Sequence, residues 1–138
     1  MKKASLTIFI FLVLSALVLT ACSGGGTSTE KSNVPAPYAG KTNPLGSDAA
    51  AAGKTIYEGS CVACHGDSGK GDGPAGAALN PPAANLVDAV SKSGDDFIFY
   101  RISEGGAMEP YNSSMPAFKG SLSENEIWEL VSYLHSLK

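Results

Sequence analysis

Residues 61–65 read Cys-Val-Ala-Cys-His, and this pentapeptide limits the chain more than any other feature. Two thiols three positions apart, with an imidazole directly after the second, admit three chemistries: a zinc corner, a redox dithiol, or the seat of a covalent haem. A structural zinc ion needs four ligands. Beyond Cys61, Cys64 and His65 the surrounding segment offers only the distant His135, and His65 adjoins Cys64, so the near ligands lack the usual spacing. A thioredoxin-like dithiol belongs beside a strand–helix–strand unit, and the flanks here read as helical. A c-type haem explains the spacing directly. Two thiolates add across the porphyrin vinyl groups and the next residue reaches the iron from one face.

The N-terminus supplies the compartment that such an attachment requires. Lys2 and Lys3 precede an almost wholly apolar run from Ile8 to Leu19, which reads as a secretory signal over residues 1–21. The run is shorter than the roughly 20 residues a spanning helix needs. Leu19, Thr20, Ala21 and Cys22 resemble the bacterial lipobox. The resemblance implies that cleavage there would make Cys22 the first residue of the mature chain, its thiol spent on lipid. The expected location is therefore extracytoplasmic, lipid-anchored to the membrane, on the cell-membrane or periplasmic side. Residues 22–47 then form a lipidated N-terminus and linker. From Ser23 to Ser47 the sequence is rich in Gly, Ser, Thr and Pro, with too little apolar surface to offset the entropy of ordering. It is expected to be a flexible tether with an r.m.s. span of about 25 to 30 Å.

Residues 48–138 suffice for one small domain, whose own core is thin; a haem would fill it. Six basic against twelve acidic residues leave this domain at net −6, which argues against nucleic acid as a partner. The pattern predicts helices and almost no strand. One runs over Ala49–Gly59, and another begins at Asp95 and stops at Gly105 and Gly106. A third opens with Ser123 and Glu126 in capping-box spacing and carries Ile127, Leu130, Val131, Leu134 and Leu137 as one apolar stripe. A shorter helix is expected within residues 85–94. Gly71, Gly73 and Gly76 spell a dinucleotide-type GxGxxG, but no strand precedes them, so they are read as a loop bordering the cofactor.

With His65 as one axial ligand, the other has three candidates: Met108, Met115 and His135. Pro116 biases Met115 toward an extended backbone, from which its side chain can project to the iron. Met115 is preferred on that ground. Met108 reads as core filler and His135 as a solvated residue near a helix C-terminus.

Residues 53–138 resemble a class I bacterial cytochrome c. The resemblance is carried by Gly53 and Tyr57 in GKTIYEGSC, the CVACHG motif, the loop GKGDGPAGAALNPPAANL, MPAF at 115–118 and the LSENEIWELVSYL segment. It implies an all-α cytochrome c fold, a small helical domain wrapped around one covalent haem c. Gly53 and Tyr57 would face the last helix near Trp128 and Val131. A proline carbonyl, from Pro74, Pro81 or Pro82, would orient the His65 imidazole.

Axial His65 and Met115 would close the iron to oxygen and substrates, so the expected function is electron transfer and not enzymatic catalysis. Methionine ligation raises the potential relative to two histidines, which suits a carrier shuttling single electrons between respiratory or photosynthetic complexes. The expected partners are the membrane, through the lipid at Cys22, and redox proteins: a quinol-oxidising complex, a terminal oxidase or reductase, or a photosynthetic reaction centre. The alternatives are a fixed haem c subunit of a larger oxidoreductase, and a haem enzyme or gas sensor with a labile methionine.

Overall fold

A computed structural model describes residues 33–138. The expected signal peptide, the lipidation site Cys22 and the start of the linker lie outside the described residues. Five helices follow in order: α1 (Ala50–Ser60), entered through a 3-10 turn at Ser47–Ala49; the single turn α2 (Val62–His65); α3 (Leu86–Lys92); α4 (Asp95–Glu104); and α5 (Glu124–Leu134). A second 3-10 turn, Gly76–Ala78, interrupts the loop between α2 and α3. Among the described residues there is no strand, and no helix is long and apolar enough to cross a membrane.

Local chemistry sets the helix ends. The Ser123 hydroxyl accepts from the Glu126 amide while the Glu126 carboxylate accepts from the Ser123 amide at 2.8 Å, the reciprocal cap expected from their spacing. Asn85 accepts from the Asp88 amide at 3.2 Å and starts α3. Asp95 and Asp96 occupy the first turn of α4, next to the positive end of its dipole. Gly105 ends α4 at φ +73°, its amide donating to the Arg101 carbonyl at 3.0 Å.

The core forms where α1 crosses α5. A Cβ at Gly53 would overlap the Glu129 carbonyl and lie 2.9 Å from the Leu130 amide, so the two helices meet at backbone distance. One turn on, Tyr57 is wholly buried, with its ring 5.1 Å from that of Tyr133. Ile127, Leu130, Val131 and Leu134 are buried in one stripe, and Leu137, beyond the helix end, is half-buried against them. Each such aliphatic side chain contributes about 1.5–3 kcal/mol on burial. From α4, Ile98, Phe99 and Ile102 complete the cluster, the Phe99 and Trp128 rings lying 4.2 Å apart.

The expected tether does not extend to Ser47. From Pro35 to Leu45 the chain is a strap laid across α4 and α5. Tyr38 packs its ring 5.2 Å from Tyr100 and 6.1 Å from Phe99, and donates its hydroxyl to Glu104. The Gly40 amide donates to Asp96 at 2.9 Å and the Asn43 amide to Asp95 at 2.9 Å. The Asn43 side chain donates to the Trp128 carbonyl at 3.2 Å and to the Ser132 hydroxyl at 2.9 Å. Lys41 pairs with Glu124 at 2.7 Å. Small polar residues made this segment look unable to order itself. It orders because its partners are already fixed on two helices.

Candidate cofactor cleft

The end of α1 delivers the thiols. The Cys61 amide bonds the Tyr57 carbonyl at 2.8 Å, and α2 then turns tightly enough to bring Cys61, Cys64 and His65 to one wall of a cleft of about 310 Å³. The Tyr57 hydroxyl donates to the Gly66 carbonyl at 2.6 Å and fixes the far end of that turn to the core. The glycine-rich loop closes over the same turn. The Gly71 amide donates to the His65 carbonyl at 2.8 Å and the Ala75 amide to the Ala63 carbonyl at 2.9 Å. Gly73 and Gly76 lie flush against the backbone of residues 62–64. The GxGxxG spacing thus serves close packing on the cysteine turn, with no strand before it.

His65 Nδ1 lies 2.9 Å from the Ala84 carbonyl oxygen. A carbonyl only accepts, so Nδ1 carries the proton and Nε2 keeps its lone pair for a metal. This corrects the expectation of a proline carbonyl. Pro81 and Pro82 line the cleft instead. The chain after them is held by Ala83 donating to Gly76 at 3.1 Å and Leu86 to Gly69 at 2.6 Å, which sets Ala84 opposite the ring.

Met115 lines the cleft together with Pro116 and Phe118. Its segment is pinned to the end of α4: the Gly106 amide donates to the Met115 carbonyl at 2.9 Å and the Phe118 amide to the Ile102 carbonyl at 3.1 Å. Gly105 is more than a helix cap. A Cβ there would press within 2.6 Å of the Met115 carbonyl and 2.7 Å of the Ala117 amide. Met108 is elsewhere, its sulfur 3.5 Å from an Arg101 nitrogen and not among the lining residues. His135 is exposed, with Nε2 2.7 Å from Asp95. Deeper in, a small void joins His65 and Met115 to Ile102, Leu130 and Leu134, so the floor of the cleft is the domain core itself.

The remaining wall is polar, with Arg101, Tyr111, Ser113 and Ser114. Arg101 stacks on the Tyr111 ring at 3.6 Å, and burial lowers its guanidinium below its usual pKa. Among the described residues no carboxylate pairs with it. The sequence pointed to neither Arg101 nor this wall.

The alternatives for the cysteines fare poorly in this setting. No group of three or more His, Cys, Asp or Glu side chains among the described residues could hold a metal ion. Burial, and then the neighbouring Cys64, push the Cys61 thiol up to about 11, the opposite of what a reactive dithiol needs. Two thiols, an imidazole with a free Nε2, a thioether and an apolar floor do suit a covalently held haem.

Comparison with known proteins agrees. The Cytochrome c family model matches residues 50–138. The Cbb3-type cytochrome c oxidase subunit FixP of Bradyrhizobium diazoefficiens is 39% identical over 90 residues, 64% of this chain and 27% of that protein. Cytochrome c-554(547) of Halothiobacillus neapolitanus is 35% identical over 91 residues, 64% of this chain and 97% of that protein. Among solved structures, a reducing HAO-like protein complex of Kuenenia stuttgartiensis matches with a TM-score of 0.55 at 26% identity, covering 69% of this chain and 47% of that one. The chain spans under a third of the oxidase subunit.

Proposed function

The chain belongs to the cytochrome c family, an all-helical fold with covalently bound haem c, and on that premise we propose that it is a lipid-anchored, extracytoplasmic carrier of single electrons and not an enzyme. The observation that carries this reading is the placement of His65 and Met115 on one cleft with Cys61 and Cys64. When bound, the haem would supply a one-electron change between ferrous and ferric iron, at a potential that a methionine ligand would raise. Cys61 and Cys64 hold it as thioethers. His65 would bind through Nε2 while the Ala84 carbonyl fixes its ring and tautomer. Met115 would offer its thioether sulfur as the second protein ligand and so deny the iron to oxygen or substrate. Arg101, Tyr111, Ser113 and Ser114 would supply donors for the haem's carboxylates. Pro81, Pro82 and Phe118 would exclude water from the cleft. Cys22 carries the anchor, and the redox partners are membrane complexes that donate or accept one electron at a time.

The experiment is a pair of substitutions in the ferric holoprotein. Met115→Ala should abolish the weak far-red charge-transfer band and lower the potential, while Met108→Ala should change neither. The reverse pattern overturns the assignment. Reduced wild-type protein should bind carbon monoxide slowly; fast stoichiometric binding would overturn the closed-iron reading.

A second reading, a fixed haem c subunit of an oxidase, is favoured by the FixP relative. Cytochrome c-554(547), matched over nearly its whole length, favours the carrier. Migration of the mild-detergent extract decides: alone for a carrier, with a large complex for a subunit.

A further inference from the structure

The strap over residues 35–45 ends on the helix that carries the methionine loop. Tyr38 donates its hydroxyl to Glu104, the last residue of α4. Glu104 also accepts from Lys119 Nζ, at 2.9 Å through Oε1 and 2.7 Å through Oε2. Lys119 lies four residues after Met115, and its amide donates to the Ser103 carbonyl at 3.2 Å. One carboxylate therefore joins three segments that are distant in sequence: the strap, the end of α4, and the loop that projects Met115. Oε1 is shared between the Tyr38 hydroxyl and the Lys119 ammonium, so removing either donor changes how the other is held.

The other strap contacts do not reach this loop. Asn43 and Lys41 engage Asp95, Trp128, Ser132 and Glu124, at the start of α4 and along α5. Among the strap's hydrogen bonds to the described residues, that of Tyr38 reaches the end of α4. Its ring is clamped beside Tyr100, so its hydroxyl is presented to Glu104 by packing and not by a free side chain. The cluster's electrostatics agree: Lys119 first and Tyr38 second hold the Glu104 carboxyl below its ordinary pKa.

We propose that Tyr38 is a positioning residue for the axial methionine, acting through Glu104 and Lys119 to keep the Met115 loop closed on the cofactor. This rests on Met115 being the sixth ligand. The segment upstream of the domain, which reads as a spacer, thereby adjusts how firmly the iron is closed.

The test uses the full-length holoprotein and a mutant cycle. In Tyr38→Phe, carbon monoxide uptake by the reduced form should accelerate roughly three- to tenfold, the scale of one ordinary hydrogen bond. The ferric far-red band should disappear at a lower alkaline pH than in wild type. Glu104→Ala should do the same or more, and Tyr38→Phe should add nothing in the Glu104→Ala background. A strap that lends only general stability would instead add its effect undiminished in both backgrounds. The proposal is overturned if Tyr38→Phe leaves uptake and band as in wild type, or if its effect persists in the absence of Glu104. Met115→Ala separates the two levels. A band surviving in that variant overturns the ligand assignment itself, whereas a band lost there but unmoved in Tyr38→Phe overturns only the role of the strap.

Discussion

The Tyr57 hydroxyl donates at 2.6 Å to the carbonyl of Gly66, the residue after His65. A side chain sealed in the crossing of α1 and α5 is thus the far anchor of the cysteine turn, so the packing of the two helices and the orientation of the imidazole are mechanically joined. Tyr57→Phe removes the donor and leaves a carbonyl without its partner at a buried residue. The expected loss is about 1–3 kcal/mol, measurable by denaturant unfolding of the holoprotein, with haem still covalently attached. An unchanged midpoint would mean that the bond contributes nothing net.

Two glycines of α1 should respond in opposite directions. Gly53→Ala drives a methyl group into the Glu129 backbone and should destabilise the domain by about 1–3 kcal/mol as the helices are pushed apart. Gly59 is exposed and has nothing within 4 Å of its missing Cβ. Gly59→Ala should stabilise by about 0.5–1 kcal/mol through lower unfolded-state entropy. Thermal melts of both variants check the pair, and equal shifts of one sign would refute the close crossing.

Ser103 is 2% exposed and its hydroxyl has no hydrogen-bond partner among the described residues. Desolvating an unpaired hydroxyl is unfavourable by about 1–3 kcal/mol. Ser103→Ala should therefore raise stability, or at least not lower it, in urea titrations. A clear loss would reveal a partner for that hydroxyl.

The Tyr38–Glu104–Lys119 cluster sets limits at both ends of the pH scale. Glu104 has a folded pKa below its ordinary 4.5, because of Lys119 and then Tyr38. Its contribution is present above the unfolded value and is lost as pH falls through the folded one. Tyr38 is raised from 10.0 to about 12, first by its hydrogen bond to Glu104. Its contribution is complete below 10.0 and fades as pH rises toward about 12. Glu104→Gln should flatten the acid limb of the stability curve below about pH 4.5, and Tyr38→Phe the alkaline limb. Circular dichroism across pH reads both, and limbs identical to wild type would contradict the linkage.

The features legible in the sequence were local ones. Ser123 with Glu126, the acids at Asp95 and Asp96, and the stripe from Ile127 to Leu134 each declare themselves within a few turns, because capping and helical period are short-range. The cysteine turn was readable because covalent attachment requires that spacing. Ala84 was not readable, since its role is played by a backbone carbonyl that any residue supplies. The strap was hidden for a different reason. Tyr38, Gly40 and Asn43 bond partners 52 to 89 positions away, and no pattern within residues 35–45 encodes them. Gly105 was seen as a helix end, but its contact with the Met115 segment depends on where a distant loop returns.

Five of the nine residues in the buried core cluster, Ile127, Trp128, Leu130, Val131 and Leu134, belong to α5. During synthesis, a chain made only as far as Gly120 therefore holds the cysteine turn but lacks most of this cluster. Completion of the core thus waits for residues 124–134, the last of the described helices in chain order.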